Sequence, residues 1–361
     1  MVESAYIHIP FCRQKCRYCS FVSFPVIKSK DEYLKTLKKE ILLKYKGEVL
    51  QTLYFGGGTP SLLSVSEIES LLEFFNLGDD AEVTIEINPE KVDKEYLSGL
   101  KKTRINRLSI GSQSFDDEIL AVIGRQHKSE DVFRVVDNAG NCGFENISLD
   151  FIYGLPNQTL KSFVSDLEIA NKLGIEHISL YGLKIDEGCY FYKNPPENIA
   201  DEDLQADMYL KAIETLDKNG FKHYEISNFA RNGKYSRHNI NYWECGEYYG
   251  FGVAAHGYAD GIRYSNFSNL KDYFENFGAE SEHKLSPAER LEENIFLGLR
   301  LAKGINLKEI NKKFNIDFEK QYSAIIKKYT ETGHITLNNQ ILKLTQKGVL
   351  VSNYILADFL G

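Results

Sequence analysis

The sequence predicts an α/β protein, a partial (βα)6 TIM-type barrel followed by a smaller C-terminal winged-helix-like domain. Two observations lead to this prediction: short apolar runs alternate with helical patterns up to about residue 230, and the last part of the chain is helical with one hairpin. Such alternation is typical of parallel strands joined by right-handed crossovers. About six units are too few to close an eight-stranded barrel. The candidate strands are residues 6–9, 52–55, 83–87, 107–110, 147–151 and 177–181.

Helices are predicted between these strands from their starts and their apolar faces. Ser29 with Glu32, and Ser64 with Glu67, each form a Ser-x-x-Glu pattern that is typical of a capping box at a helix entry. Apolar residues then recur at helical spacing after each box. We therefore expect a helix after the first strand and another after the second.

Polar and glycine residues follow several of the predicted strands. They are Gly56 to Thr59, Asn88, Gln113 and Asp150. In barrels of parallel strands, the carboxyl ends of the strands form the reacting face. The sequence therefore predicts that these residues share one site.

The chain divides into three predicted parts. Residues 1–230 form the barrel, and residues 231–285, rich in Tyr, Asn and Gly with little helical period, form a connecting region. Residues 286–361 form the C-terminal domain, which opens with Ser286-Pro287 as helix start and contains a hairpin around residues 337–341.

Composition excludes several classes of protein. The chain has 361 residues, 43 basic and 51 acidic side chains and a formal net charge of −8, with no dense basic tract, so nucleic acid is a poor candidate partner. No apolar stretch is long enough for a membrane span, and nothing at the N-terminus has the pattern of a signal peptide. We expect a cytoplasmic protein.

Three of the six cysteines lie together as Cys12-x-x-x-Cys16-x-x-Cys19, directly after the first predicted strand. Thiolates suit iron–sulfur clusters and zinc. Three thiolates on a 4Fe–4S cluster leave one iron free for a small-molecule chelate. The alternatives are structural zinc, with His8 as a fourth ligand, and cysteines that bind nothing. Zinc sites usually contain a second Cys-x-x-Cys pair, and its absence from the sequence argues against zinc.

The segment from Tyr6 to Cys19 resembles the signature of radical S-adenosylmethionine enzymes, in the branch of the oxygen-independent coproporphyrinogen III dehydrogenases and the HemW heme chaperones. Several further segments resemble that branch in the same order, which makes the resemblance specific. They are residues 55–61, 85–89, 109–115, 124–125, 149–156 and 238–243.

The resemblance implies a 4Fe–4S cluster on Cys12, Cys16 and Cys19, bound S-adenosylmethionine, and an electron donor such as a flavodoxin or ferredoxin. A guanidinium suits a carboxylate, and carboxylates suit ribose hydroxyls or a sulfonium. The residues that the resemblance implies for S-adenosylmethionine are Tyr6, Tyr18, Gly57, Gly58, Thr59, Glu86, Gln113, Arg125 and Asp150.

The sequence departs from the dehydrogenases at two points, and these departures bear on which member of the branch it resembles. The dehydrogenases continue their motif as Cys-x-Cys, whereas Ser20 and Phe21 follow Cys19 here, and the chain has no long segment before Tyr6. We therefore expect a heme chaperone that passes heme to an acceptor protein, without coproporphyrinogen dehydrogenase activity. The alternatives are a radical enzyme acting on a tetrapyrrole and a zinc-bearing interaction module.

Heme needs an axial ligand, and histidine is a common one. The resemblance implies His238, in the segment His238-Asn239-x-x-Tyr242-Trp243, although a histidine beside aromatic residues is more often structural. His256 is a weaker second candidate.

Overall fold

A large mixed β-sheet forms the centre of the molecule. The structure is a computed structural model that describes residues 1–25 and 27–360. Six parallel strands confirm the six predicted from the sequence. Each observed strand contains the predicted run and extends it where the ladder continues. They are β1 (Ser4–Ile9), β2 (Leu50–Gly57), β3 (Leu77–Ile87), β4 (Arg107–Gln113), β5 (Asn146–Tyr153) and β6 (His177–Gly182).

Helices connect consecutive parallel strands and cover the sheet with apolar side chains. The buried side chains of strands and helices form one continuous core, as the alternating pattern requires. The helices of this part are α1 (Lys30–Lys44), α2 (Val65–Leu72), α3 (Lys94–Lys102), α4 (Asp117–Val122), α5 (Ser129–Asn141), α6 (Leu160–Lys172), α7 (Tyr190–Lys193) and α8 (Glu202–Lys218).

One of the two predicted capping boxes is confirmed. The Glu67 amide donates to Ser64 Oγ at 3.2 Å, and the Ser64 amide donates to Glu67 Oε2 at 2.7 Å. The Ser29 box was wrong. Ser29 ends a 3₁₀ turn with ψ of 6°, so its backbone lacks the extended N-cap conformation and its side chain makes no capping bond.

The sheet extends beyond the six parallel strands on both sides. β7 (Lys222–Glu225) and β8 (Asn228–Ala230) continue it beyond β6 in antiparallel fashion, and β9 (Tyr249–Phe251) pairs parallel with β1 at the other edge. The strand order is β7-β8-β6-β5-β4-β3-β2-β1-β9. The strand that precedes the cysteine motif, β1, is therefore an interior strand.

Residues 231–285 hold more regular structure than the sequence suggested. They include α9 (Arg237–Trp243), a three-stranded antiparallel sheet of β10 (His256–Ala259), β11 (Ile262–Asn266) and β12 (Ala279–Lys284), and α10 (Leu270–Asn276). The buried Glu40 of α1 ties this region to the large sheet. Its carboxylate accepts from the Gly252 amide at 2.8 Å, Asn266 Nδ2 at 2.7 Å and Tyr273 Oη at 2.7 Å.

The C-terminal part has its own small core of buried apolar side chains from Leu291 to Phe359. The predicted helix start at Ser286-Pro287 is confirmed with a complete capping box, and so is the predicted hairpin, whose turn residues Asn339 and Gln340 have positive φ. The elements are α11 (Pro287–Gly298), β13 (Ile305–Asn306), α12 (Leu307–Phe314), α13 (Phe318–Gln321), α14 (Ser323–Glu331), β14 (Ile335–Asn338), β15 (Ile341–Leu344), α15 (Gln346–Leu350) and α16 (Ser352–Asp358).

The fold class is therefore as predicted: a large parallel sheet of the partial-barrel type with a smaller C-terminal domain of helices and a small sheet. The division at residues 230 and 285 stays a prediction. Among the helices of the described chain, none combines the length and apolar character that crossing a membrane requires.

Candidate functional site

The carboxyl ends of the parallel strands surround a cavity of about 400 Å³, which we call the cysteine cavity. The register of the strands explains why: Ile9 pairs with Gly57, and Gly111 pairs with Asp150, so the strands end at a common edge. Cys12, Cys16 and Cys19 all line this cavity, and none of them is in a disulfide.

The cysteine loop is held to the barrel by main-chain bonds. The Cys12 amide donates to the Phe24 carbonyl at 3.2 Å, and the Arg17 amide donates to the Ile123 carbonyl at 3.0 Å. Within the loop, the Cys19 amide donates to the Cys16 carbonyl at 3.2 Å. These bonds fix the three thiols relative to the strand ends.

Two polar side chains reach the sulfur atoms, one from the loop after β2 and one from the loop between α4 and α5. Thr59 Oγ1 donates to Cys12 Sγ at 3.5 Å, and Arg125 Nη1 donates to Cys16 Sγ at 3.6 Å. Donors to sulfur stabilise thiolates and tune iron–sulfur centres. Three half-buried thiols with such donors around one cavity are a donor set that fits a 4Fe–4S cluster.

Arg125 is held rigidly in this position. Its Nη2 donates to the Gly111 carbonyl at 2.6 Å and to Asn88 Oδ1 at 3.2 Å, and its Nε donates to His127 Nδ1 at 3.2 Å. The guanidinium thus brings a fixed positive charge to the cavity wall, suited to a sulfur ligand or a carboxylate.

The glycine run at the end of β2 is required by the protein's own packing. Gly57 has a φ of +112°, and a Cβ there would lie 2.6 Å from the His8 ring. A Cβ at Gly58 would lie 2.7 Å from the Phe11 carbonyl oxygen. In the described chain, the two glycines therefore allow a close approach of β2 to β1 and to the residues that follow β1.

Two carboxylates face the cavity from β3 and β5, the strands on either side of β4. Glu86 accepts from Tyr54 Oη at 3.0 Å and from the Gly57 amide at 3.1 Å, and Asp150 accepts from Ser109 Oγ at 2.8 Å and Ser148 Oγ at 3.1 Å. Burial, and then the charge of Asp150, raise the pKa of Glu86 to about 7. Burial also raises the pKa of Asp150. A bound cation would stabilise both ionised forms.

The cavity brings together most of the residues predicted for S-adenosylmethionine. Tyr6 alone is elsewhere: its hydroxyl contacts His8 Nδ1 at 3.0 Å, and it lines a second cavity described below. The eight residues that line the cysteine cavity are Tyr18, Gly57, Gly58, Thr59, Glu86, Gln113, Arg125 and Asp150.

His238 does not lie in either cavity lining. Its side chain is 1% exposed, Nδ1 is 2.7 Å from Thr52 Oγ1, and Nε2 is 2.7 Å from Tyr242 Oη. The ring stacks on Tyr54 with centroids 5.1 Å apart. Because both nitrogens are engaged, this geometry favours a structural role over the predicted heme ligation.

His8 is similarly engaged, which bears on the zinc alternative. Its Nε2 is 2.9 Å from the Val22 carbonyl and its Nδ1 bonds the Tyr6 hydroxyl. A fourth zinc ligand at this position would require breaking one of these bonds. The described geometry therefore does not support a Cys₃His site.

Sequence reasoning missed several residues of the cavity. Tyr54, Ser109, Tyr181 and Lys184 line it, with Tyr181 at the end of β6 and Tyr54 two residues before the glycine run. The alternation of side chains along a strand could have identified Tyr54 and Ser109, because they face the same side as Glu86 and Asp150.

Comparisons with known proteins show the family of the chain. Residues 6–170 match the model of the radical SAM superfamily, and residues 285–351 match that of the HemN C-terminal domain. The chain is 37% identical to the heme chaperone HemW of Bacillus subtilis over 100% of both proteins. It is also 37% identical to the heme chaperone HemW of Escherichia coli, over 70% of this chain and 69% of that protein.

A solved structure has the same fold over nearly the whole chain. Coproporphyrinogen III oxidase (HemN) from Escherichia coli, a radical SAM enzyme, matches with a TM-score of 0.88 and 22% sequence identity. The match covers 99% of this chain and 89% of that structure. At this identity the similarity concerns the fold.

Proposed function

Because the chain belongs to the HemW family of the radical SAM superfamily, we propose that it is a heme chaperone. In this proposal it holds a 4Fe–4S cluster and S-adenosylmethionine in the cysteine cavity and passes heme to an acceptor protein. The observation that carries the proposal is that three cysteines and eight residues predicted for the cofactor line one cavity.

Cys12, Cys16 and Cys19 would hold the cluster as thiolates. When bound, the cluster supplies an iron without a protein ligand, at which an amine and a carboxylate can chelate, and the capacity to donate an electron. The Thr59 hydroxyl and the Arg125 guanidinium would keep their bonds to sulfur and so hold the thiolates in place.

The remaining residues of the cavity would position S-adenosylmethionine. Glu86 and Asp150 provide negative charge for a sulfonium or ribose hydroxyls, and Gln113 provides an amide at the same edge. Gly57 and Gly58 line the cavity and would meet the methionine end with their backbone. Arg125 is near enough to the cysteines to meet the cofactor's carboxylate as well.

Heme and its acceptor enter the proposal from the relatives, which bear the name heme chaperone. Phe21 in the place where the dehydrogenases carry a fourth cysteine supports a chaperone over coproporphyrinogen oxidation. An electron donor of the flavodoxin or ferredoxin type is the partner that a reducible cluster would need.

The first test is anaerobic reconstitution with iron and sulfide, followed by metal analysis. We expect about four irons per chain in the wild type and loss of the cluster in the Cys12, Cys16, Cys19→Ala triple variant. The matched control is Cys142→Ala, because Cys142 is a half-buried cysteine that contacts the Lys94 carbonyl and does not line the cavity. A wild type without iron and sulfide, or a triple variant with full iron content, would contradict the cluster.

The second test addresses heme. Hemin added to the full chain should give a stoichiometric Soret band, and the loaded protein should pass heme to an apo heme protein. Conversion of coproporphyrinogen III to protoporphyrinogen under anaerobic reducing conditions would favour the enzymatic alternative instead.

A further inference from the structure

A second cavity of about 600 Å³ lies beside the cysteine cavity. Ser20, Phe21, Gly57 and Glu86 line both cavities, so the two are neighbours with a shared wall. Its volume is within the range of small-molecule and cofactor sites. The proposed function has not used this space.

His256 lines the second cavity from the first residue of β10. Its side chain is exposed, and its ring makes no hydrogen bond to any residue that the structure describes. This differs from His8 and His238, whose two ring nitrogens are both engaged. His256 is thus a histidine in a cavity with its nitrogen lone pair available to a metal centre.

Aromatic side chains form part of the same lining. Phe21 is 68% exposed, although it is a large apolar side chain, and it stands in the wall between the two cavities. Tyr242 and Tyr248 pack edge to face, with centroids 4.5 Å apart, on the same lining. A flat apolar ring system would cover Phe21 and remove it from water.

The charges of the lining limit how such a ligand could enter. Glu86 and Glu280 line the second cavity, and within the described chain its lining includes no lysine or arginine. Anionic groups on the ligand would therefore point outward to solvent, with the apolar ring inside. Heme, which carries its two carboxylates on one edge, can satisfy this arrangement.

We propose that the second cavity is the heme site, with His256 as the axial ligand of the iron and Phe21 packed on the porphyrin face. This inference rests on the proposed function, since it assigns the place of the heme that a chaperone carries. Neutral imidazole donates a lone pair to the iron, so ligation needs no oxidant or reductant. The shared wall would place the heme next to the cysteine cavity.

The test is hemin titration of the full chain, comparing the wild type with His256→Ala, His238→Ala and His334→Ala. His334 is the matched control, because it is a half-buried histidine of the C-terminal domain that lines neither cavity. We expect His256→Ala to weaken heme binding about 10- to 100-fold and to change the Soret and visible bands, and His334→Ala to change neither. Added imidazole should restore the wild-type spectrum of His256→Ala.

The outcomes separate this inference from the function on which it rests. A wild type that binds no heme contradicts the proposed function itself. Wild-type affinity and spectrum in His256→Ala overturn the assignment of His256 and leave heme binding intact. If a folded His238→Ala variant loses heme ligation while His256→Ala keeps the wild-type affinity and spectrum, His238 is the axial ligand instead. Circular dichroism and thermal unfolding of each variant establish which of them are folded.

Discussion

Glu86 allows a quantitative test of the cysteine cavity. Its carboxyl has a pKa of about 7 without a ligand, because burial and the charge of Asp150 disfavour the ionised form. A sulfonium or ammonium group bound nearby favours ionisation and should return the pKa toward its ordinary value of 4.5. Binding of S-adenosylmethionine should therefore release a proton below neutral pH.

The magnitude follows from linkage. We take the case in which binding returns the pKa of Glu86 fully to its ordinary value. At about pH 6, about nine tenths of the Glu86 carboxyl groups must then lose a proton when the ligand binds. This requirement weakens the affinity for S-adenosylmethionine about ten-fold, or ~1.4 kcal/mol, relative to about pH 8. The sign is fixed by the direction of the shift: affinity rises as pH rises through about 7. Without ligand, the same raised pKa makes the folded state less stable as pH rises from 4.5 to about 7.

Isothermal titration calorimetry on the reconstituted protein, at both pH values and in two buffers of different ionisation enthalpy, measures affinity and proton release together. Glu86→Gln should remove the contribution of Glu86 to the proton release and to the pH dependence of the affinity. Glu95→Gln, an exposed carboxylate in the first turn of α3, should behave as the wild type. Equal pH dependence in the wild type and Glu86→Gln would refute the reasoning.

Three further variants test individual contacts, and a fourth serves as a control. Gly57→Ala should lower the free energy of unfolding by about 1–3 kcal/mol in chemical denaturation. Gly47→Ala, with φ of +89° and no atom near its Cβ, separates backbone strain from the clash with His8. His238→Ala should cost about 2–4 kcal/mol of stability while heme affinity stays unchanged; full stability would contradict its structural role. Arg125→Gln should keep iron but weaken S-adenosylmethionine binding about ten-fold by equilibrium dialysis, and undiminished affinity would remove its proposed contact.

The sequence was informative wherever local pattern and tertiary structure agree. The six parallel strands were predictable because each is a buried apolar run between helices with clear starts. The site was predictable as a cluster because parallel strands end at one edge, so Gln113 and Asp150 had to approach the cysteine loop.

The features that the sequence did not predict depend on contacts between residues far apart in the chain. β9 has three residues and no period of its own, and it forms because β1 offers a partner. The Ser29 box failed because a preceding 3₁₀ turn set the backbone of Ser29. The burial of His238 follows from Thr52 on a distant strand, which no local pattern reveals.

The pairing of Ala5 with Tyr249 has a consequence for how the chain is made. In the finished protein the outermost strands, β7 and β9, have only four and three residues, which discourages pairing with other molecules. During synthesis on the ribosome, however, β1 emerges before the other strands of the sheet. One edge of β1 stays unpaired until β9, far along the chain, has been made. A chain that ends before residue 249 would leave the backbone of β1 open on one side, so such fragments should aggregate.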